Sequence, residues 1–297
     1  MKDMLKKLAA IPSPSGTEDA MRNTLQAYLK DLDTTIDAHG SLIVHKKGEG
    51  EGIVVLAAMD TPSLFVTAAD KGFSRFSPTD ELTVPDGTIV QFTDGIVGVV
   101  SKDDAGQFID TGDVPVPIGA GAAPLPSVWE IGATRLCGFA LGNYAALTAC
   151  LSAALEKTTK DVYYVFAAKT CIRQFSPAFM QKVKANLLIS VEVSAANDYP
   201  EEKAVFLSLG QGTSLRIKDK NMLSAPDAIA YLSALPVSTV REVSMRRGIG
   251  GTVQKAFGGI KSVGIGIPTR YADTLGEMVD MKDIENTKNL LLACLSN

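Results

Sequence analysis

The chain has 297 residues but only two histidines, His39 and His45. That scarcity removes most imidazole chemistry, because a Ser-His-Asp or Cys-His device needs a base within hydrogen-bond reach of its nucleophile. Both histidines flank a short early strand at 41–44 and read as a surface hairpin pair. Cysteine is equally sparse: Cys137, Cys150, Cys171 and Cys294. No two are spaced C-x-x-C, so neither a zinc knuckle nor a thioredoxin-like pair is indicated, and four in a chain this long do not build a disulfide scaffold. No stretch reaches the roughly 18 apolar residues of a membrane span. The charged, amphipathic start Met1–Leu8 lacks the apolar core of a signal peptide. A cytoplasmic protein with no membrane partner is expected. A basic excess is missing too. Lys plus Arg number 29 against 33 Asp plus Glu, a net charge of -4, which argues against nucleic acid as a partner. Only a local basic patch around Arg246 and Arg247 is left open.

What is present is an ordinary globular composition, 46% hydrophobic and 21% charged. Area scaling has such a chain bury about 70% of its unfolded surface, so a substantial core is expected. Met21, Leu25, Tyr28, Leu29 and Leu32 fall at helical spacing and predict a helix over 17–32, with Thr17 as N-cap. Residues 53–58 form a continuous apolar run, the mark of a strand buried on both faces. Gly48–Gly52 reads as a solvated hairpin tip. From about 67 to 135, short β-like pieces at 88–92 and 96–100 are separated by Pro85-Asp86-Gly87 and Thr93-Asp94-Gly95, which predicts a small all-β insertion. Strands are then expected at 162–166, 187–191 and 263–267, with helices at 143–156, 177–185 and 284–295. Buried strands alternating with helices predict an α/β fold: a mainly parallel sheet covered on both faces.

Ligands of an open α/β sheet bind at the carboxyl ends of its strands. The residues just past the expected strands include Asp60, Cys171, Glu192 and Asp273. Together these could hold a metal. On spacing alone the plainer reading is preferred, that they are ordinary strand-end polar groups. For Cys171 that reading is a buried, inert thiol, since no base lies nearby in sequence. Gly248-Ile249-Gly250-Gly251 fails the context of a phosphate loop and is expected to be a flexible loop.

Segments in order along almost the whole chain carry a resemblance. They are Leu8-Ala9-Ala10-Ile11-Pro12 through Ser15-Gly16-Thr17-Glu18, Gly40-Ser41-Leu42-Ile43, Ala58-Met59-Asp60, Asp70-Lys71-Gly72-Phe73, Ile109-Asp110-Thr111-Gly112, Gly250-Gly251-Thr252 and Ile267-Pro268-Thr269-Arg270-Tyr271. The set resembles the glutamyl aminopeptidase, or tetrahedral aminopeptidase, family of dinuclear metallopeptidases, which includes endoglucanase M-like proteins. The resemblance implies a three-layer α/β/α peptidase core over 1–66 and 136–297. It also implies a small β-barrel-like insertion over 67–135, two catalytic zinc or cobalt ions, and a large homo-oligomer.

The same resemblance locates departures. The family's first histidine ligand falls on Ala58 and its bridging aspartate on Gly142. Its adjacent glutamates, base then ligand, fall on Thr170 and Cys171. Its next aspartate falls on Glu192, its last histidine on Asp273, and the aspartate of its G-G-T-D on Val253. Asp60 keeps at most a supporting role. The implied protein has lost most metal ligands and the general base, so no catalytic residue and no cofactor are assigned. It would be inactive in the family reaction and would bind or regulate, with a peptide or an active paralogue as partner. The alternative is a hydrolase or aminopeptidase with a rebuilt site, a single zinc or cobalt held by Cys171, Glu192 and Asp273, with or without Asp60. A third reading, a chance alignment, is opposed by the ordered matches. Finally, the apolar, proline-rich stretch Val114–Val128 and the lone Trp129 predict self-association through the insertion; otherwise they are the insertion's own core.

Overall fold

The structure, a computed structural model, describes residues 1–70, 72–79, 82–200 and 204–296. Lys71, in one of the segments quoted above, lies outside the described residues. The chain opens with α1 (Lys2–Ala9) and α2 (Asp19–Tyr28), forms the hairpin β1 (Asp33–Ile36) and β2 (Leu42–Lys46), and runs into β3 (Glu49–Ala58). Then come β4 (Leu64–Asp70), β5 (Phe73–Pro78), β6 (Ile89–Phe92), β7 (Val97–Asp103), β8 (Gly106–Asp110) and β9 (Gly121–Pro124). A second hairpin, β10 (Val128–Ile131) and β11 (Arg135–Gly138), leads to α3 (Leu141–Ala154) and β12 (Lys160–Ala167). A 3-10 turn (Pro177–Gln181) precedes β13 (Ala185–Ala195), β14 (Thr213–Lys218), α4 (Pro226–Ala234) and β15 (Thr239–Val243). The last elements are α5 (Gly250–Gln254), β16 (Lys261–Arg270), β17 (Glu277–Asp280) and α6 (Met281–Ser296).

Four strands, in the order β12-β3-β13-β16, run parallel through the centre of an 11-stranded sheet. Their apolar runs follow from this position. In β3, Ile53, Val55 and Ala57 join one core cluster, while Val54 and Leu56 join another on the opposite face. On the first face α1, α2 and α6 supply Leu5, Leu8, Met21, Leu25 and Ile284, and α3 supplies Leu147 and Leu151. Helix α3 is buried at every position but Asn143, and its many alanines let it lie close between the sheet and its neighbouring helices α1 and α6. The second face is covered by shorter pieces, with Phe175, Phe179 and Val253 packed on Val54 and Leu56. Antiparallel strands flank the parallel centre. The sheet forks at β16, which pairs antiparallel with β14 near its middle and with β17 at its end.

The expected all-β insertion is a closed six-stranded barrel, β4-β5-β8-β7-β6-β9. Its turns at Gly87 and Gly95 have φ of +85 and +92, the left-handed region that glycine adopts freely. The barrel strands run from Leu64 to Pro124, whereas β10 and β11, placed largely in the insertion by the sequence, pair with β17 at the edge of the large sheet.

Other expectations need correction. Helix α2 is shorter than 17–32, and Thr17 is not its cap. The Thr17 hydroxyl donates to the Pro14 carbonyl at 2.9 Å, and Glu18 occupies the cap position. The helix expected from Pro177 is only a 3-10 turn, because the chain must re-enter the sheet at Ala185. Gly248–Gly251 is not a flexible loop; Gly250 opens α5 and is buried. Gly48–Gly52 is not a hairpin tip, since β12 lies between β2 and β3. A Cβ on Gly48 would sit 2.2 Å from the Lys160 carbonyl oxygen, so glycine is needed there for close backbone approach.

Gly48→Ala is therefore expected to destabilise the fold by about 2 kcal/mol or more. Gly50→Ala, where φ is +80 but nothing lies within 4 Å, should cost about 1 kcal/mol of backbone strain alone. Urea unfolding of the two variants checks the order, and equal losses would contradict the packing of Gly48 on Lys160.

Candidate functional site

A cavity of about 130 Å³ opens where the parallel strands end. Ala58, Thr170, Cys171, Glu192 and Asp273 line it, joined by Asn143, Arg216, Arg246, Arg247 and Glu277, with Phe139, Val191 and Val193 as an apolar wall. Thus three of the four strand-end candidates, Thr170 beside them, and the position of the missing histidine meet around one space. Asp60 and Gly142 are not among its lining residues.

Asp60 lies behind the cavity, fully buried. Its Oδ1 accepts from the Thr170 hydroxyl at 2.5 Å. Its Oδ2 accepts from the Ser15 hydroxyl at 2.5 Å and the Cys171 amide at 2.9 Å. Burial pushes its carboxyl up to about 6, with these three bonds acting in the opposite direction. Glu18 makes a parallel link, accepting from the amides of Gly16 and Lys169. The two acids join the segment before α2 to the turn after β12, in which Lys169 has φ of +59. The Thr170 proton is directed at Asp60, and Cys171 is buried at the cavity wall.

The remaining carboxylates are held on the far side. Glu192 Oε1 accepts from Ser190 Oγ and from the Gly250 amide at 3.2 Å; Oε2 accepts from the Ile249 amide at 3.1 Å and Arg216 Nη1 at 3.4 Å. Arg216, on β14, is 1% exposed. Its Nη2 donates to the Val193 carbonyl at 2.7 Å and to Ser194 Oγ at 3.0 Å. Asp219 and Glu242 complete an acidic surround, 3.7 and 3.9 Å from the guanidinium. Asp273, at φ of +68, binds Arg246 with both oxygens. Glu277 accepts from the amides of Gly142 at 2.8 Å and Asp273 at 2.9 Å, and burial pushes its carboxyl up to about 7.

This donor set does not suit a pair of divalent cations. Every carboxylate oxygen on the cavity wall already accepts a bond from the protein. Two guanidinium groups, on Arg216 and Arg246, hold Glu192 and Asp273 and would repel a nearby dication. A Cβ at Gly142 would lie 2.7 Å from Thr269 Oγ1 and 2.8 Å from Val193 Cγ2, so the start of a carboxylate side chain has no room there. Among the described residues, no three His, Cys, Asp or Glu side chains are grouped to hold a metal, including the sequence candidates Cys171, Glu192 and Asp273. His45 is engaged elsewhere, bonded to Asp161 at 2.9 Å and stacked on Tyr163. Sequence reasoning missed Arg216, Asn143 and Glu277. An arginine between Leu215 and Ile217 was the available signal for the first.

The family model for M42 glutamyl aminopeptidases matches residues 94–290. A putative aminopeptidase of Acetivibrio thermocellus is 28% identical over 99% of this chain and 98% of its own length. Among solved structures, an aminopeptidase from the archaeon Desulfurococcus kamchatkensis superposes with a TM-score of 0.91 at 23% identity, covering 99% of this chain and 94% of that one. The Pyrococcus horikoshii TET1 peptidase, described as able to assemble into a tetrahedron or a large octahedral shell, has a TM-score of 0.88 at 20% identity, covering 100% and 99%. At these identities the two structures establish the fold.

The raised carboxyl of Glu277 predicts a pH dependence. Its pKa is higher folded, about 7, than its ordinary 4.5. The folded chain therefore keeps a proton that the unfolded chain releases. The stabilisation is complete below about 4.5 and is lost as pH rises through about 7. Asp60 and Asp283 shift in the same direction, so the test is a difference. Between pH 4.5 and 8 the wild type should lose on the order of 3 kcal/mol more stability than Glu277→Gln, measured by urea unfolding across pH. Parallel curves would contradict the assignment.

Proposed function

The chain belongs to the M42 glutamyl aminopeptidase family, and from that premise we propose a member that does not perform metal-dependent hydrolysis and instead binds or regulates through its cavity. The observation that carries this reading is the engagement of Glu192 by Arg216 and of Asp273 by Arg246. The resemblance puts metal ligands at both acidic positions, and here each carboxylate faces a fixed organic cation. A two-metal hydrolase also needs a bridging carboxylate and a base for its water. The corresponding residues are Gly142 and Thr170, and Ala58 and Val253 stand at two further positions that carry polar groups in the family. Without these groups several kcal/mol of transition-state stabilisation are gone. A single-metal hydrolase on Cys171, Glu192 and Asp273 would first have to break both arginine pairs. The role proposed is cytoplasmic, with a peptide or an active paralogue as partner.

The test is release of p-nitroaniline from aminoacyl-p-nitroanilides, with and without added zinc or cobalt. The purified chain should give no release above a protein-free control. Turnover that rises with added metal would defeat the proposal.

We also propose self-association to at least a dimer. Ile118 and Trp129 are 69% and 68% exposed, and Val114, Leu125 and Ile131 are exposed beside them in sequence. Trp129 sits on the edge strand β10, and Ile118 precedes the barrel strand β9. Light scattering at micromolar concentration should give a mass of at least two chains, reduced by the double variant Ile118→Glu/Trp129→Glu. A monomeric wild type would contradict it.

A further inference from the structure

The cavity has an imbalance between donors and acceptors. Each carboxylate oxygen of Glu192, Asp273 and Glu277 already accepts at least one protein hydrogen bond. Donors are less fully used. Arg247 lines the cavity, is exposed, and has no hydrogen-bond or ion-pair partner among the described residues. Arg246 spends one hydrogen on each oxygen of Asp273, which leaves three of its five donor hydrogens for other bonds. The buried Nε of Arg216 likewise lacks a hydrogen-bond partner. A free amino group entering here would bring three more donors to a wall whose carboxylate oxygens each already accept a bond. A carboxylate would bring only acceptors, and its two oxygens match the fork of an arginine. The same cavity has an apolar lining of Phe139, Val191 and Val193, all buried.

Resting on the non-hydrolytic reading above, we infer that the cavity is a carboxylate site, binding a small ligand with a free carboxylate and an apolar side chain, with Arg247 as the residue that engages the carboxylate. The occupant would be a free apolar acyl-amino acid or the carboxyl end of a peptide. This is the opposite polarity to amino-terminal recognition.

Isothermal titration of the full chain with three probes tests the assignment: N-acetyl-L-leucine, which has the carboxylate and no amine; L-leucinamide, which has the amine and no carboxylate; and inorganic phosphate, an oxyanion with no apolar part. Only N-acetyl-L-leucine should bind measurably. Arg247 is exposed, so Arg247→Gln should fold as the wild type does, and it should weaken that binding about tenfold or more. Arg247→Lys, which keeps the charge without the fork, should fall between the two. Preference for L-leucinamide, equal or tighter binding of phosphate, no binding of any probe, or undiminished binding by Arg247→Gln would each overturn the assignment. Failure here leaves a negative p-nitroanilide result standing, while metal-dependent turnover in that assay defeats the underlying reading whatever these probes do.

Discussion

A guanidinium taken out of water is tolerated only where its charge is met, and Arg216 is almost completely buried. Its surroundings meet that demand from several elements at once. The Val193 carbonyl, Ser194 and Glu192 belong to β13, Glu242 to β15, and Asp219 to the turn after β14. Such a cluster need not be more stable than a well-packed apolar substitute, but removing one partner alone costs about 3–5 kcal/mol because the others stay buried without compensation. The arginine thus fixes the relative positions of three strands and, through Glu192, the amides of Ile249 and Gly250 that open α5. The far wall of the cavity takes its shape from that arrangement.

Asp60 does comparable work on the near wall with the opposite charge. It has no cationic partner among its bonds; two hydroxyls and an amide satisfy it. Those bonds hold together the Ser15 segment and the Thr170–Cys171 turn, while burial raises its pKa. The cavity therefore lies between an acid supported by neutral donors and acids supported by arginines. The carboxylate oxygens facing the space between them each already accept a protein bond.

The parts of this arrangement that could be read in sequence are those whose signal is local. β3, β12, β13 and β16 carry apolar runs because both faces are covered, and the barrel's turns carry Asp-Gly pairs. Once the parallel strands are recognised, their carboxyl ends bring Thr170, Cys171, Glu192 and Asp273 to one place. The parts that could not be read depend on long-range pairing. Arg216 reaches Glu192 only because β14 joins the sheet beside β16, far along the chain. Gly48 looks like a turn residue until β12 is found between β2 and β3. Thr17 has the chemistry of a cap, but Glu18 is drawn to the Lys169 amide and the helix begins one step later. β10 and β11 follow the barrel in sequence yet extend the large sheet, because their partner β17 lies there.

The central claim is that arginines and backbone amides, not metal ions, neutralise the acids of this cavity. Metal content measured by inductively coupled plasma mass spectrometry, on protein purified without chelator, saturated with zinc or cobalt and then desalted, tests it most directly. The account predicts far less than one ion per chain, with no change for Glu192→Gln. Stoichiometric zinc or cobalt that disappears in Glu192→Gln would contradict it.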